Sequence, residues 1–301
     1  MTRILPASFP TAPFARVLCL LAAPLSLSPA QAAETMVTVP AEGGKIIGTF
    51  NDADGAADTP VILLLHGFTG SRDELPVAGT DEGVFSRAAR LLAEAGYPSL
   101  RIDFIGSGES TDKTWQETTF SGQIADGLSA LAWLDAKLPE RSQVVLGWSQ
   151  GGLVASHLAA QADPEALILW APVADPLPTY SGLLGVDAVA TAIASDDPAE
   201  TFTFTLPWGA TTALNAPFFD ELVTTDPVAA VAQYDGPLLL MVGSKDTIVG
   251  PQPEMGERFA NYHPGATEMK IYPMDHSFNV FTDASTLDQM LVETVSWLGA
   301  L

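Results

Sequence analysis

The stretch VVLGWSQGGLVASHLAA, Val144 to Ala160, decides the fold. Its first residues are a continuous apolar run, and the residues after the glycines carry apolar side chains at helical spacing, so a buried strand turns directly into a helix. The turn itself reads G-x-S-x-G, with Gly147, Ser149 and Gly151. A reversal this sharp needs small residues at both ends, because larger side chains would collide there, and it lifts the serine hydroxyl clear of the sheet. The backbone at such an apex is strained and depends on its surroundings to hold it.

The same kind of apolar run recurs on both sides of this turn: PVILLLHG (60–67), YPSLRIDF (97–104), EALILWAP (165–172), GPLLLMVGS (236–244) and TEMKIYP (267–273). None alternates with period two, which is how strands covered on both faces read. MVTVP (36–40) and KIIGTF (45–50) flank Gly43 and Gly44 and read as an antiparallel hairpin. Amphipathic stretches lie between the strands, among them VFSRAARLLAEAG (84–96), QIADGLSALAWLDAKL (123–138) and the closing STLDQMLVETVSWLGAL (285–301). The expected fold is therefore α/β, a mostly parallel twisted sheet with helices on both faces. From about 173 to 233 no clean strand is expected. Prolines that include Pro176, Pro178, Pro207, Pro217 and Pro227 and a set of aromatics that includes Tyr180, Phe202, Phe204, Trp208, Phe218 and Phe219 suggest a lid inserted after the sixth strand, over an apolar site.

A serine hydroxyl is a weak nucleophile until a histidine takes its proton, and that histidine needs a carboxylate to fix its tautomer. Strand-turn-helix sites of this type take these groups in the order serine, acid, histidine. Three histidines follow Ser149. His157 falls within the helix and His263 precedes the last strand, whereas His276, in YPMDHSF, comes just after it and is the expected base. Asp246, at the end of GPLLLMVGSKD, is the expected acid, although an aspartate there also reads as a turn residue. Asp226 and Asp235 come too early, and Asp275 is the base's own neighbour. The HGF after VILLL supplies the loop from which Phe68 N–H, with Gln150 N–H, would face a developing oxyanion. His66 then reads as structural, its ring holding that loop. RIDFIGSGES lacks the spacing and lysine of a phosphate cradle and reads as a structured turn beside it. No metal-binding spacing is present, and no cofactor is required.

Length and composition set the frame. With 301 residues and 47% hydrophobic side chains, one catalytic domain over 33–301 is expected. Residues 1–32 read as a signal peptide: Arg3 and Arg16 precede VLCLLAAPLSL, and Ala30 and Ala32 mark a cleavage site. The apolar run is too short to span a bilayer. Removing the leader also removes Cys19, so no disulfide is expected, and leaves 11 basic against 36 acidic residues. A surface that negative repels nucleic acid and anionic membranes. Only five of its basic residues are lysine, a balance that also keeps a protein hydrated at high salt.

Taken together, HGFTGSRDE, RIDFIGSGES, GWSQGG, SKDTIV and MDHSF resemble the α/β-hydrolase superfamily over nearly all of the chain after the leader, and within it the cinnamoyl and feruloyl esterase-like serine hydrolases. That resemblance implies Ser149 as nucleophile, Asp246 and His276 as its partners, Phe68 and Gln150 as oxyanion donors, and a lid that shapes substrate choice. The branch commonly has histidine before the serine, whereas this chain has Trp148, as other esterases and polyester-degrading enzymes do. The implied partner is a small ester with an apolar or aromatic acyl group, contacted by Trp148, Trp208 and Phe202. Acyl transfer and peptide cleavage are alternatives on the same fold, and a non-catalytic binding protein is a further one. If the leader reading holds, the intact mass of the exported protein corresponds to a chain beginning at Ala33; a mass that retains residues 1–32 would contradict it.

Overall fold

The apolar runs pair into one eight-stranded sheet in the computed structural model, which describes residues 1–2, 34–53, 55 and 58–301. The expected signal peptide lies outside the described residues. The chain divides into a unit of residues 1–31, of which only 1–2 are described, and a unit of residues 32–301, whose fold follows. Its strands are β1 (Glu34–Ala41), β2 (Gly44–Asn51), β3 (Val61–Leu65), β4 (Ser99–Ile102), β5 (Gln143–Trp148), β6 (Ala166–Trp170), β7 (Thr201–Thr205), β8 (Thr211–Asn215), β9 (Leu238–Gly243) and β10 (Thr267–Tyr272). The large sheet runs in the order β1-β2-β4-β3-β5-β6-β9-β10. Its first two pairings are antiparallel and all the others parallel.

Both faces of the central strands are buried, as their continuous apolar character requires. Leu63, Leu65, Val145, Leu167, Leu169 and Leu240 point into one core, while Ile62, Leu64, Val144, Leu146, Ile168 and Leu239 point into the other. On the first face lie α2 (Phe120–Lys137) and α3 (Gln150–Ala162), and on the second α1 (Val84–Glu94) and the C-terminal Ser285–Leu298 helix. The longest of these, α2, begins before the apolar repeat, because Thr119 Oγ1 caps it by accepting from Gly122 N–H at 3.0 Å.

Register brings the reactive segments to one rim. Leu65 lies opposite Gly147, and Tyr272 opposite Gly243, so β3, β5, β9 and β10 end at the same edge of the sheet. Whatever follows those strands gathers there.

The segment from 173 to 233 is not strand-free, contrary to the expectation from its sequence. It holds α4 (Pro176–Leu184), α5 (Val186–Ile193), the antiparallel β7–β8 hairpin, α6 (Ala216–Thr224) and α7 (Pro227–Val231). The period-two pattern of TFTFT is a true strand signal: Phe202 and Phe204 both pack on Phe219 of α6, at 5.7 and 5.5 Å between ring centroids, while Thr201, Thr203 and Thr205 are exposed. Gly209, at φ 86, closes the turn between the two strands. Past β9, α8 (Glu254–Tyr262) and then α9 (Ser285–Leu298) complete the chain.

The sharp turn after β5 takes the strained form that its sequence calls for. Ser149 has φ 57 and ψ −116, a conformation that non-glycine residues adopt only under constraint. A Cβ on Gly147 would collide with the carbonyl oxygen of Gly151, and one on Gly151 with that of Leu65. Gly151→Ala is accordingly expected to destabilise the fold by about 2–3 kcal/mol through overpacking against rigid backbone. Urea unfolding measures this, and an unchanged midpoint would show that the turn has room to spare.

Candidate active site

Ser149, Asp246 and His276, far apart in sequence, meet at the common rim. Asp246 Oδ2 lies 2.7 Å from His276 Nδ1, and His276 Nε2 lies 2.9 Å from Ser149 Oγ. A carboxylate only accepts hydrogen bonds, so Nδ1 carries the ring proton and Nε2 turns its lone pair toward the serine hydroxyl. All three residues are buried. The second oxygen of Asp246 accepts from Ile248 N–H at 2.8 Å and Val249 N–H at 3.0 Å. The two readings of Asp246 are therefore compatible, one oxygen capping the turn and the other holding the imidazole.

Trp148 backs the histidine. Its indole N–H donates to the His276 carbonyl at 3.2 Å, and its ring lies 5.4 Å from the imidazole at a 34° tilt. The residue before the serine thus packs against the proposed base as well as lining the site.

The loop after β3 is held by polar groups that are almost all uncharged. Phe104 N–H donates to His66 Nε2 at 3.2 Å, which leaves the proton on Nδ1, and Nδ1–H donates to the Gly67 carbonyl at 2.8 Å. Burial pushes the His66 pKa down, against smaller opposing effects from Gly67 and Asp103, so the ring is neutral. Gly70 N–H also donates to Gly67 O, at 3.1 Å. Carbonyl and N–H of a trans peptide point opposite ways, so fixing Gly67 O aims Phe68 N–H away from it. Gly67 lies against the serine: a Cβ there would sit 3.4 Å from Ser149 Cβ.

Gln150 is the first residue of α3, so its N–H has no acceptor within the helix and stands at the positive end of the helix dipole. Its side chain is locked in place. Nε2 donates to Gln123 Oε1 at 2.7 Å, and Tyr180 OH donates to Oε1. The Phe68 ring packs 5.2 Å from Tyr180 and 5.4 Å from Trp115, which ties the loop to α4 in the inserted segment. The turn in RIDFIGSGES abuts the same loop, since buried Asp103 accepts from Arg72 N–H at 2.7 Å and from Glu109 N–H at 2.9 Å.

Above the serine is a cavity of about 320 Å³, lined by Phe68, Trp148, Leu183, Trp208, Ile248 and Phe281 together with Glu74, Ser149 and His276. Trp148 and Trp208, both expected at the substrate, line it. Phe202 does not, and this corrects the expectation: the hairpin register points its ring at α6 instead. Glu74, Gln123 and Tyr180 carry no spacing signal that marks them as site residues in the sequence, although Glu74 closes the HGFTGSRDE segment. His157 lies in α3, and His263 Nδ1 pairs with Thr267 Oγ1 at 2.7 Å; neither lines the cavity. Among the described residues no group of three or more His, Cys, Asp or Glu side chains is placed to hold a metal ion, and no helix is long and apolar enough to cross a membrane.

Comparison with known proteins places this geometry in context. The family model for the alpha/beta hydrolase fold matches residues 60–216. Among solved structures, the ferulic acid complex of Est1E from Butyrivibrio proteoclasticus is similar with a TM-score of 0.66 and 21% identity, over 86% of this chain and 99% of that one. The esterase domain of a Rhodothermus marinus protein gives a TM-score of 0.63 at 20% identity, over 88% and 97% of the two chains. Mouse alpha/beta hydrolase domain-containing protein 10 gives 0.68 at 19% identity, over 89% and 99%. An uncharacterized protein of Rickettsia prowazekii is 31% identical over 116 residues, which is 38% of this chain and 45% of that protein's length.

The neutral His66 makes stability depend on pH. Its folded pKa is depressed, so below the ordinary value of 6.5 the unfolded chain takes up a proton that the folded chain refuses, and stability falls as the solution becomes more acidic. Replacing the ring by an amide, His66→Gln, removes that slope. Between about pH 7 and about pH 5.5 the wild type is expected to lose about 1 kcal/mol more than the variant. Parallel denaturant titrations measure the difference, and equal losses would mean that His66 ionises in the folded protein.

Proposed function

The chain belongs to the alpha/beta hydrolase fold family, and from that premise we propose that it is a serine carboxylic ester hydrolase working through an acyl-enzyme. The observation that carries the reading is the hydrogen-bonded relay from Asp246 through His276 to Ser149, mounted on a strained turn. In this mechanism Ser149 Oγ attacks the ester carbonyl while His276 Nε2 takes its proton. Asp246 holds the imidazole in the required tautomer and stabilises it when charged. The carbonyl oxygen becomes negative as the tetrahedral intermediate forms, and Phe68 N–H and Gln150 N–H are the donors assigned to it, each contributing on the order of 3 kcal/mol. Collapse of the intermediate expels the alcohol, protonated by His276. A water activated by the same histidine then releases the acid and restores the serine.

The cavity supports a small substrate with an apolar or aromatic acyl group. Its volume, about 320 Å³, is at the lower end of the range for small-molecule sites, and its walls are largely aromatic and aliphatic. Trp208 and Phe281 are largely exposed at 55% and 61% and belong to its rim. The fold's likeness to a protein solved with ferulic acid agrees with an aromatic acyl group. We read the inserted segment as the lid that sets acyl preference, since it contributes Leu183 and Trp208 to the cavity. The leader pattern in residues 1–32 supports export, to the periplasm or beyond the cell.

Ser149→Ala is expected to lower kcat on an activated ester by about 10⁴- to 10⁶-fold. A variant that keeps a tenth of wild-type turnover would refute the assignment. The acyl preference is tested by a series of p-nitrophenyl esters of rising chain length beside methyl ferulate. Turnover of the ferulate supports the aromatic reading, and exclusive preference for short aliphatic acyl groups overturns it.

A further inference from the structure

Glu74 is outside the relay, yet its carboxyl is built into the oxyanion loop. Its Oε1 accepts from Gly67 N–H, so Glu74 grips one side of the residue whose carbonyl is gripped by His66 and Gly70. It lines the cavity that holds Ser149 and His276. A Cβ on Gly70 would come 2.6 and 2.7 Å from its two oxygens, so a side chain there would push the carboxyl from this place. The backbone of Glu74 is itself left-handed, at φ 60, a conformation that a glutamate keeps only when its surroundings enforce it. Packing, hydrogen bonding and strain all direct this carboxyl at the loop.

The charges around it are mostly acidic: Glu34, Asp73, Asp81 and Glu82, with Arg101, line an outer pocket that Glu74 shares. Asp103 faces it, held in an ion pair by Arg72. His66 is neutral, and His276 shares the cavity. On the outer side Asp73 pairs with Arg101 at 2.9 Å. No cation among the described residues pairs with Glu74 itself. Burial therefore pushes its pKa up, to about 8, with the charge of Asp103 adding to the rise and the Gly67 N–H opposing it.

We propose that Glu74 is a positioning residue of the oxyanion loop that works as the neutral acid, and that its ionisation turns hydrolysis down on the alkaline side. The inference rests on the ester-hydrolase reading above. A neutral carboxyl holds Gly67 N–H without adding charge next to the atom that becomes negative in the transition state. An ionised one still holds the N–H, but it sets a like charge against the developing oxyanion in a cavity with largely apolar walls, where such charges are less screened than in water.

The test is kcat/KM against pH, between about pH 6.5 and about pH 9.5, for wild type, Glu74→Gln and Glu74→Ala. In the wild type the ratio of activity at the acid end to that at the alkaline end is expected to be about tenfold or more. In Glu74→Gln, whose amide oxygen accepts from Gly67 N–H but cannot ionise, that ratio shrinks to less than about twofold. Glu74→Ala loses the tether: kcat falls about tenfold with KM little changed, and Glu74→Gln recovers most of the loss. The alkaline fall persisting unchanged in Glu74→Gln, or wild-type kcat in Glu74→Ala, overturns the inference.

A second readout needs no variant. The Gly67 amide of ¹⁵N-labelled wild type is expected to titrate with a midpoint near pH 8, and an amide that does not move across that range counts against the proposal. Ser149→Ala, assayed beside the others, separates the two levels of the argument. If it hydrolyses esters like wild type, the hydrolase reading fails. If it is inactive while Glu74→Gln keeps the alkaline fall, only the role of Glu74 fails.

Discussion

The close approach of Gly151 to the end of β3 is the contact on which the site depends. A side chain at Gly151 would collide with the carbonyl oxygens of Leu65 and His66. With glycine there, the first turn of α3 seats directly on the strand that leads into the oxyanion loop. One backbone-to-backbone contact thereby sets the strained turn at Ser149 beside that loop. Ser149 and the residues assigned above as donors thus sit around one packing constraint.

Around that contact the protein uses neutral hydrogen bonds where charge would be harmful. The Gly67–Phe68 peptide is oriented by a neutral imidazole and a backbone N–H on its carbonyl, and the His66–Gly67 peptide before it by a carboxyl that burial favours in its acid form. Gln150 is fixed by an amide and a phenol. The fixed charges of the neighbourhood stay one layer back, in the Arg72–Asp103 pair. The inserted segment is not a loose flap. Trp115 Nε1–H donates to Thr212 Oγ1 at 2.9 Å, and the rings of Tyr180 and Phe218 meet Phe68 and Phe120. Motion of the insertion would therefore be felt at the Phe68 donor through its ring.

Much of this was legible from local pattern. The eight main-sheet strands follow from apolar runs bounded by turn residues, and the gathering of Ser149, Asp246 and His276 follows from their positions just past strand ends. His66 could be read as structural because a base already stood at the last strand. Pattern fails where the signal is local but diluted. The alternation in TFTFT marks a strand, but the prolines and aromatics around it read as an irregular loop, and composition does not say which face of the hairpin is covered, so it cannot place Phe202 against α6. The roles of Tyr180, Gln123 and Glu74 were out of reach altogether. Each acts on a residue brought near by folding, and no spacing along the chain encodes that Tyr180 reaches Gln150.

The central claim is that Ser149 reacts while Phe68 and Gln150 receive the negative oxygen. A crystal structure of the enzyme inactivated by an alkyl fluorophosphonate tests it most directly. The account predicts a covalent bond from Ser149 Oγ to phosphorus, with the phosphoryl oxygen within hydrogen-bond distance of both Phe68 N and Gln150 N, and His276 still bonded to Asp246. An unmodified Ser149, or an adduct whose oxygen points away from both amides, would contradict it.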